Sequence, residues 1–258
     1  MRYWILFTVF LLSLGIVDKT RAQAEFSEGT LIYRIDTVRR LELHPSSYLP
    51  VQFKLYKKAD LIRVETQYVN MADSTDRKRM IEIRNQKGIY SVLEEKPSIP
   101  IDSLVKKLSM SKDSLLKVFP WMNEFALFSS YEEEKISRST AALQGRLKTY
   151  TAKKVGQKSS LLSMPTEKFV LTSLDKSDSL NIQVTQAISA PVGLFFEPLR
   201  KIAGTPLQFT DSQYGWHYRY TIESVKAQSL PDELFQIDPK LRILTDEQML
   251  QETKELIK

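Results

Sequence analysis

The stretch Trp216-His217-Tyr218-Arg219-Tyr220-Thr221-Ile222-Glu223 decides how the rest of the chain is read. Trp216, Tyr218, Tyr220 and Ile222 stand at every second position, opposed by His217, Arg219 and Glu223, which is the period of a strand with one face inward. The same alternation recurs upstream. Leu31, Tyr33 and Ile35 alternate with Ile32, Arg34 and Asp36; Val51, Phe53 and Leu55 with Gln52 and Lys54; Ile62, Val64 and Tyr68 with Arg63, Glu65 and Gln67. Lys57-Lys58-Ala59-Asp60 and Asn85-Gln86-Lys87-Gly88 are short polar connections, and Asn85 and Gly88 tolerate the positive φ that tight turns need. An antiparallel meander is therefore predicted from Gly29 to Leu93. Further strands are predicted over 148–154, 169–174, 180–186, 205–210 and 216–228, with polar turns at Asp175 to Asp178 and Asp211 to Gly215.

Between Pro100 and Ser137 the period lengthens. Ile101, Leu104, Val105 and Leu108 share one helical face, Leu115, Leu116 and Phe119 follow Ser111 as a candidate N-cap, and Trp121, Phe125 and Phe128 share a third face after Pro120. That third helix is expected to run out into Glu132-Glu133-Glu134-Lys135, read as a solvated helix end. Val192 to Lys201 reads as a short helix or buried loop, limited by Pro191 and perturbed by Pro198. At the end of the chain Thr245 and Gln248 have capping-box spacing. Asp246 and Glu247 sit in the first turn, Met249, Leu250, Thr253, Leu256 and Ile257 form one face, and Lys254 and Lys258 lie toward the C-terminal end of the dipole.

The first twenty-four residues read as a secretory signal: Arg2, an apolar run from Tyr3 to Val17, and the small-x-small site Ala22-Gln23-Ala24 before Glu25. That run, interrupted by Thr8, Ser13 and Gly15, falls short of the roughly 20 residues a membrane-spanning helix needs. A chain beginning at Glu25 is the expectation, periplasmic or else extracellular. With no cysteine it has no disulfide framework and no thiol for lipoprotein acylation, so no stable membrane anchor is expected after cleavage. Removing Arg2, Lys19, Arg21 and Asp18 from 37 basic and 31 acidic side chains leaves 34 and 30. An excess of that size suits solubility and does not argue for nucleic acid. The chain carries no repeat, low-complexity tract or linker, and a single domain over 25–258 is expected.

Enzymes leave clusters of nucleophile, base and metal ligand in their sequences. His44 lies in a Leu43-His44-Pro45 loop and His217 on the polar face of its strand, neither with a second ligand at metal-binding spacing. G-x-S-x-G, G-x-G-x-x-G and Walker patterns do not occur, and the eight glycines are scattered. No catalytic residue, metal site or cofactor is assigned from the sequence, and a non-enzymatic role is expected. Paired carboxylates that converge only in three dimensions are beyond a sequence reading.

What stands out instead is a set of large aromatics: Trp121, Phe125, Phe128, Phe195, Phe196, Trp216, Tyr218 and Tyr220. Two readings stay open. They fill one packed core, or they line an apolar cavity between a curved sheet and its helices.

The C-terminal third adds a resemblance. Gly204-Thr205-Pro206-Leu207, Gly215, an aromatic strand ending near Val225, and Leu230-Pro231-Asp232-Glu233-Leu234-Phe235-Gln236-Ile237-Asp238-Pro239 resemble the closing segment of periplasmic proteins with the LolA/LolB-like lipoprotein-sorting fold. More narrowly they resemble a family of uncharacterised secreted bacterial proteins of that fold, and Phe26-Ser27-Glu28-Gly29-Thr30-Leu31-Ile32-Tyr33 is similar as well. The resemblance implies an α+β domain: an antiparallel curved sheet forming a half-open barrel, helices against its concave face, and a C-terminal amphipathic helix, here with a helical insertion at about 100–137. In the sorting proteins the covered cavity shields acyl chains, and no functional residue is carried over. The expected function is an exported binding protein that sequesters a lipid, acylated peptide or other apolar ligand. The alternative is an envelope interaction module with a fully packed core that meets a protein partner.

Overall fold

The computed structural model describes residues 26–40, 48–95, 101–111, 114, 125–144, 147–200, 202–213 and 216–256. The leader read over 1–24, His44 and Trp121 lie outside the described residues, as does the predicted face Leu115, Leu116 and Phe119.

Twelve strands form one sheet: β1 (Glu28–Arg40), β2 (Tyr48–Lys58), β3 (Leu61–Asn70), β4 (Arg77–Asn85), β5 (Gly88–Glu95), β6 (Phe125–Ser129), β7 (Tyr150–Leu161), β8 (Met164–Ser173), β9 (Ser179–Thr185), β10 (Thr205–Gln213), β11 (Trp216–Ala227) and β12 (Arg242–Thr245). Their spatial order is β12-β6-β5-β4-β3-β2-β1-β11-β10-β9-β8-β7, so the sheet is open, with β12 and β7 at its edges. Every pairing is antiparallel except that of β12 with β6, which is parallel. Three α-helices accompany it among the described residues: α1 (Ile101–Leu108), α2 (Tyr131–Leu143) and α3 (Asp246–Leu256). The domain is sheet-rich α+β.

Two meanders meet at β1. One runs outward through β2 to β6, the other returns from β7 at the far edge through β8 to β11, which pairs with β1 from Gly29↔Ala227 to Arg40↔Trp216. The two stretches that alternate most clearly in sequence thus lie side by side, and Tyr33, Ile35, Tyr220 and Ile222 bury one continuous face.

That face carries the larger core, in which Leu31, Phe53, Leu55, Ile62 and Val64 join Leu180, Ile182, Leu207 and Phe209. Two 3-10 turns, Val192–Leu194 and Glu197–Leu199, cover it by inserting Val192, Phe196 and Leu199. The Phe196 ring meets Phe53, Phe209 and Tyr220 at centroid distances of 5.4, 4.7 and 4.8 Å, all edge-on. Such aromatic pairs each add roughly 0.5–1.5 kcal/mol beyond the area they bury.

Between β3 and β4 the core changes sides. Val64 pairs with Glu82 and Glu65 with Ile81, so Ile81 and Ile83 face the reverse of the sheet. There they build a second, smaller core with Tyr90, Val92 and Ala126. The segment after β11 covers it: a 3-10 turn at Asp232–Phe235 buries Phe235, and Ile237 and Leu241 pack on the same cluster. Lys58 Nζ donates to the Leu230 carbonyl at 2.8 Å and Arg63 Nη1 to the Leu234 carbonyl at 3.1 Å, fixing this strap.

Three expectations need correction. Phe125 and Phe128 do not belong to a third helix; Phe125–Ser129 is β6, between β5 and β12. A short continuous apolar run such as Phe-Ala-Leu-Phe has no polar face to reveal its period, so strand and helix look alike until a neighbouring strand claims it. The helical insertion at about 100–137 is therefore partly sheet. Second, Glu132 to Lys135 opens a helix rather than ending one. Ser130 Oγ accepts from the Glu133 amide at 3.1 Å and Glu133 Oε2 accepts from the Ser130 amide at 2.6 Å, a complete capping box. Third, the turn expected from Asp211 is shorter, because β10 continues to Gln213, which pairs with Trp216, and Asp211 is buried opposite Tyr218. At α3 the expected cap is present: Thr245 Oγ1 accepts from the Gln248 amide at 3.3 Å and Gln248 Oε1 accepts from the Thr245 amide at 2.9 Å. Its apolar residues Met249 and Leu250 are exposed.

The hairpin glycine Gly88 has φ +147°, and a Cβ there would sit 2.6 Å from the Phe128 ring and 2.9 Å from the Ser129 carbonyl oxygen. Gly88→Ala is expected to cost about 2–3 kcal/mol, from backbone strain plus overpacking. Gly156, at φ +70° with open space around it, is expected to lose only about 1 kcal/mol on substitution by alanine. Urea denaturation of the two variants checks this; equal midpoints would contradict the packing of β6 against the β4–β5 turn.

Candidate functional site

Where the chain crosses from β6 to β7 it leaves a cleft of about 690 Å³ between α2, the β7–β8 edge of the sheet and the segment ending at Ile202. Tyr150, Ala152 and Leu171 come from the sheet, Ala142 from α2, and Leu147, Pro198 and Ile202 from the connections. Tyr150 and Ile202 also pack against the larger core. Burial raises the Tyr150 phenol pKa well above its usual value, reinforced by the Asp178 carboxylate, to which the hydroxyl donates at 2.7 Å. It stays neutral, and its ring is an apolar wall.

Charged side chains from three elements hold α2 beside this cleft, those of α2 and of 197–200 lining it and that of β4 lying behind them. Arg84 of β4, on the face where the larger core has given way, places both terminal nitrogens on Glu134 of α2, at 3.0 and 2.8 Å, and its Nε on Glu82 at 2.6 Å. Its guanidinium lies 5.3 Å from the Phe195 ring centroid. Burial works against the Arg84 charge, but hydrogen bonds and attraction from Glu134 and Glu82 outweigh it, so its pKa is raised. Arg138 donates to Glu197 at 2.7 Å. Arg200 reaches Glu134 at 3.5 Å and donates to the Leu194 carbonyl at 2.9 Å. The buried Arg200 Nε lies 3.2 Å from Glu197 Oε2, within ion-pair range but without hydrogen-bond geometry.

These contacts matter because α2 has little else to hold it. None of its residues is buried, and Ile136 and Leu143 are 58% and 90% exposed. Tyr131 adds one hydrogen bond, from its hydroxyl to the Asn85 carbonyl at 2.9 Å. Ion pairs between partly exposed side chains, such as Arg138 with Glu197, contribute only about 0.2–1 kcal/mol each, and Arg84 is the one buried member of the set, so the helix is fastened by a polar latch rather than by apolar packing. Elements fastened in this way open at low free energy.

The aromatic set predicted from sequence is divided. Phe196, Trp216, Tyr218 and Tyr220 are buried in the larger core, and Phe195 is half-buried against it. Phe128 packs on the second core, its ring 5.1 Å from Tyr90, and Phe125 is half-buried on β6. None of these seven described residues lines the cleft. Sequence reasoning missed Glu134, Arg138, Lys148 and Tyr150. Only the Ser130-x-x-Glu133 box before a helix was there to be found; that Arg84, Arg138 and Arg200 converge depends on the crossover.

Three further concavities lie elsewhere among the described residues. One of about 670 Å³ on the reverse face of β2–β4 mixes Lys54, Arg77 and Arg79 with Glu65, Asp76 and Glu94, and Arg79 is ion-paired to both Glu65 and Glu94. Concavities of about 610 and 400 Å³ flank the strap at Gln236 to Pro239. His217 Nδ1 lies 2.7 Å from Ser212 Oγ across the β10–β11 pair, and neither residue lines any of these concavities. Among the described residues, no three His, Asp or Glu side chains come together as metal ligands.

No protein-family model matches the chain, and no curated protein matches it. Among solved structures it is similar to PNGF-II, solved in space group C2, with 10% identity and a TM-score of 0.33 over 90% of this chain and 33% of that one. The chain thus spans about a third of that protein's length, and a likeness so distant carries no conclusion about fold or activity.

Glu134→Ala removes the acceptor shared by Arg84 and Arg200. It is expected to destabilise α2 by about 2 kcal/mol, between the ranges for exposed and buried pairs. Hydrogen exchange reads this as faster exchange over 133–143 with β10 and β11 unchanged; unchanged exchange in α2 would show that the latch does not hold the helix.

Proposed function

We propose that this chain is an exported, non-enzymatic binding protein that sequesters an apolar ligand, with an architecture like that of the LolA/LolB-like lipoprotein-sorting proteins: a curved sheet with α2 lying across its concave face. The ligand site is the cleft under α2 rather than the aromatic core.

The single observation that carries this reading is that one helix lines the same cleft as the far edge of the sheet. In the strand order β6 and β7 are ten spacings apart, about 48 Å in a flat sheet. The 13 residues of α2 cover only about 20 Å at 1.5 Å each, yet Glu134 in its first turn is bonded to β4 while the helix borders Tyr150 of β7. A sheet curled toward α2 brings those strands within its reach.

A volume near 690 Å³ suits a small amphiphile, since ligand pockets run from about 300 to 1,000 Å³. Each methylene moved out of water contributes about 0.8 kcal/mol. A chain of several methylenes would therefore offset the cost of displacing a helix held only by its latch. The secretory signal read from the sequence over 1–24 supports export, and the absence of cysteine agrees with a carrier that has no acyl anchor.

A second reading, an envelope interaction module, is favoured by Ile243, Met249 and Leu250, which leave apolar surface exposed along β12 and α3 at one sheet edge. Native mass spectrometry of protein purified gently from the periplasm discriminates the two. The carrier reading expects a non-covalent adduct of lipid mass, or uptake of an added acyl chain. A clean mass that added acyl chains do not change would overturn it in favour of the interaction module.

A further inference from the structure

The rim of the cleft carries a charge imbalance that selects among apolar ligands. It has four cations, Lys135, Arg138, Lys148 and Arg200, and two carboxylates, Glu134 and Glu197. Both carboxylates are already engaged. Glu134 is shared by Arg84 and Arg200, and Glu197 by Arg138 and Arg200.

Lys135 and Lys148 are left over. Both are exposed, and among the described residues neither has a carboxylate within ion-pair distance. Lys148 Nζ donates only to the Ser177 hydroxyl at 3.0 Å, although Asp175 nearby feels its charge. They stand on opposite walls: Lys135 on α2, Lys148 on the connection entering β7. The same cleft is lined by Ala142, Leu147, Tyr150, Leu171 and Ile202, an apolar set beside the small hydroxyls of Ser139 and Thr149, and the Tyr150 hydroxyl is already given to Asp178.

Apolar side chains beside two exposed ammonium groups, neither ion-paired to a carboxylate among the described residues, match one chemical class. Resting on the reading that the cleft holds an apolar chain, the geometry points to a single-chain amphiphile with an anionic head, carboxylate or phosphate, as its ligand. The chain lies along the apolar side chains and the head sits between Lys135 and Lys148. A neutral head gains nothing from these lysines, and a cationic head is repelled.

The test is calorimetric titration of the protein, at low ionic strength and below micelle-forming concentrations, with four ligands sharing a dodecyl-length chain: dodecanoate, dodecyl phosphate, monododecanoylglycerol and dodecylammonium. The anions are expected to bind about five- to tenfold more tightly than the neutral ester, as two partly exposed ion pairs allow. The preference should shrink as salt is raised, and the double variant Lys135→Gln/Lys148→Gln should remove it while leaving the neutral ester's affinity unchanged. Carboxylate and phosphate heads compared with each other identify which source of negative charge fits better. Equal affinity for all four heads, or an anion preference that survives in the double variant, overturns the inference and leaves the cleft reading standing. No binding of any dodecyl ligand overturns both. Because both lysines are exposed, the variants test the charge without disturbing the core, and the salt series on the unaltered protein gives the same answer independently.

Discussion

The pairing of β1 with β11 is the constraint on which the rest of the molecule depends. It joins residues about two hundred positions apart, from Gly29↔Ala227 onward, and without it the two meanders are separate sheets with separate edges. Its quality is built into particular residues. Gly29 lies so close to β11 that a Cβ would sit 2.2 Å from the Lys226 carbonyl oxygen. Tyr33, fully buried, donates its hydroxyl to the Pro206 carbonyl at 2.7 Å and so ties β1 to β10 across β11. A bulge between Ile32 and Tyr33 shifts the register by one residue and keeps Tyr33 opposite Ile222 and Leu31 opposite Val225 on the buried face. Closing such a distant pair is entropically costly, so its formation is expected late and the local hairpins early.

Once the centre is fixed, the change of core side between β3 and β4 follows from where covering segments exist. The turns at 192–199 are short and reach only over β1–β2 and β9–β11, where Phe196 and Leu199 insert. Beyond them, on the same face, β4 presents Glu82 and Arg84, which no apolar cover could accept without leaving charge buried. The reverse face of β4–β6 is covered instead by the strap that follows β11, with Phe235, Ile237 and Leu241. The polar latch of α2 occupies the place where neither core has a use for the surface.

Much of this was legible in the sequence because strands with one buried face write their period directly. Leu31 to Asp36, Phe53 to Leu55 and Trp216 to Glu223 all lie where alternation put them. Capping boxes are equally local, and Thr245 with Gln248 behaves as read. What failed had no local signature. Phe125 to Phe128 lacks a polar face and takes its conformation from β5 and β12, neighbours 34 and 117 positions away in the register Val92↔Ala126 and Ile243↔Ala126. The cleft was invisible for a stronger reason. Its walls come from α2, β7, β8 and residues 197–202, and the residues lining it are ordinary surface types whose meaning lies in their convergence. Large aromatics drew attention because they carry the most apolar area, and for that same reason they are consumed by the core.

This division has a mechanical consequence. A ligand that entered the aromatic core would have to part Phe196 from Phe53, Phe209 and Tyr220, rings held edge-on at 5.4 Å or less, and that separation would expose the centre of the sheet to water. A ligand entering beneath α2, as proposed, would displace ion pairs that water can replace and would leave the β1–β11 pairing and its cover intact. The molecule separates a rigid part, whose aromatic contacts are lost only on unfolding, from a part whose attachments are polar and individually weak. Arg84 stands at the junction: its guanidinium meets Glu134 of α2 on one side and the Phe195 ring on the other. If the helix opens as proposed, Arg84 would be freed from Glu134 but not from Glu82, at 2.6 Å, so its charge would keep a partner and no buried charge would be left alone.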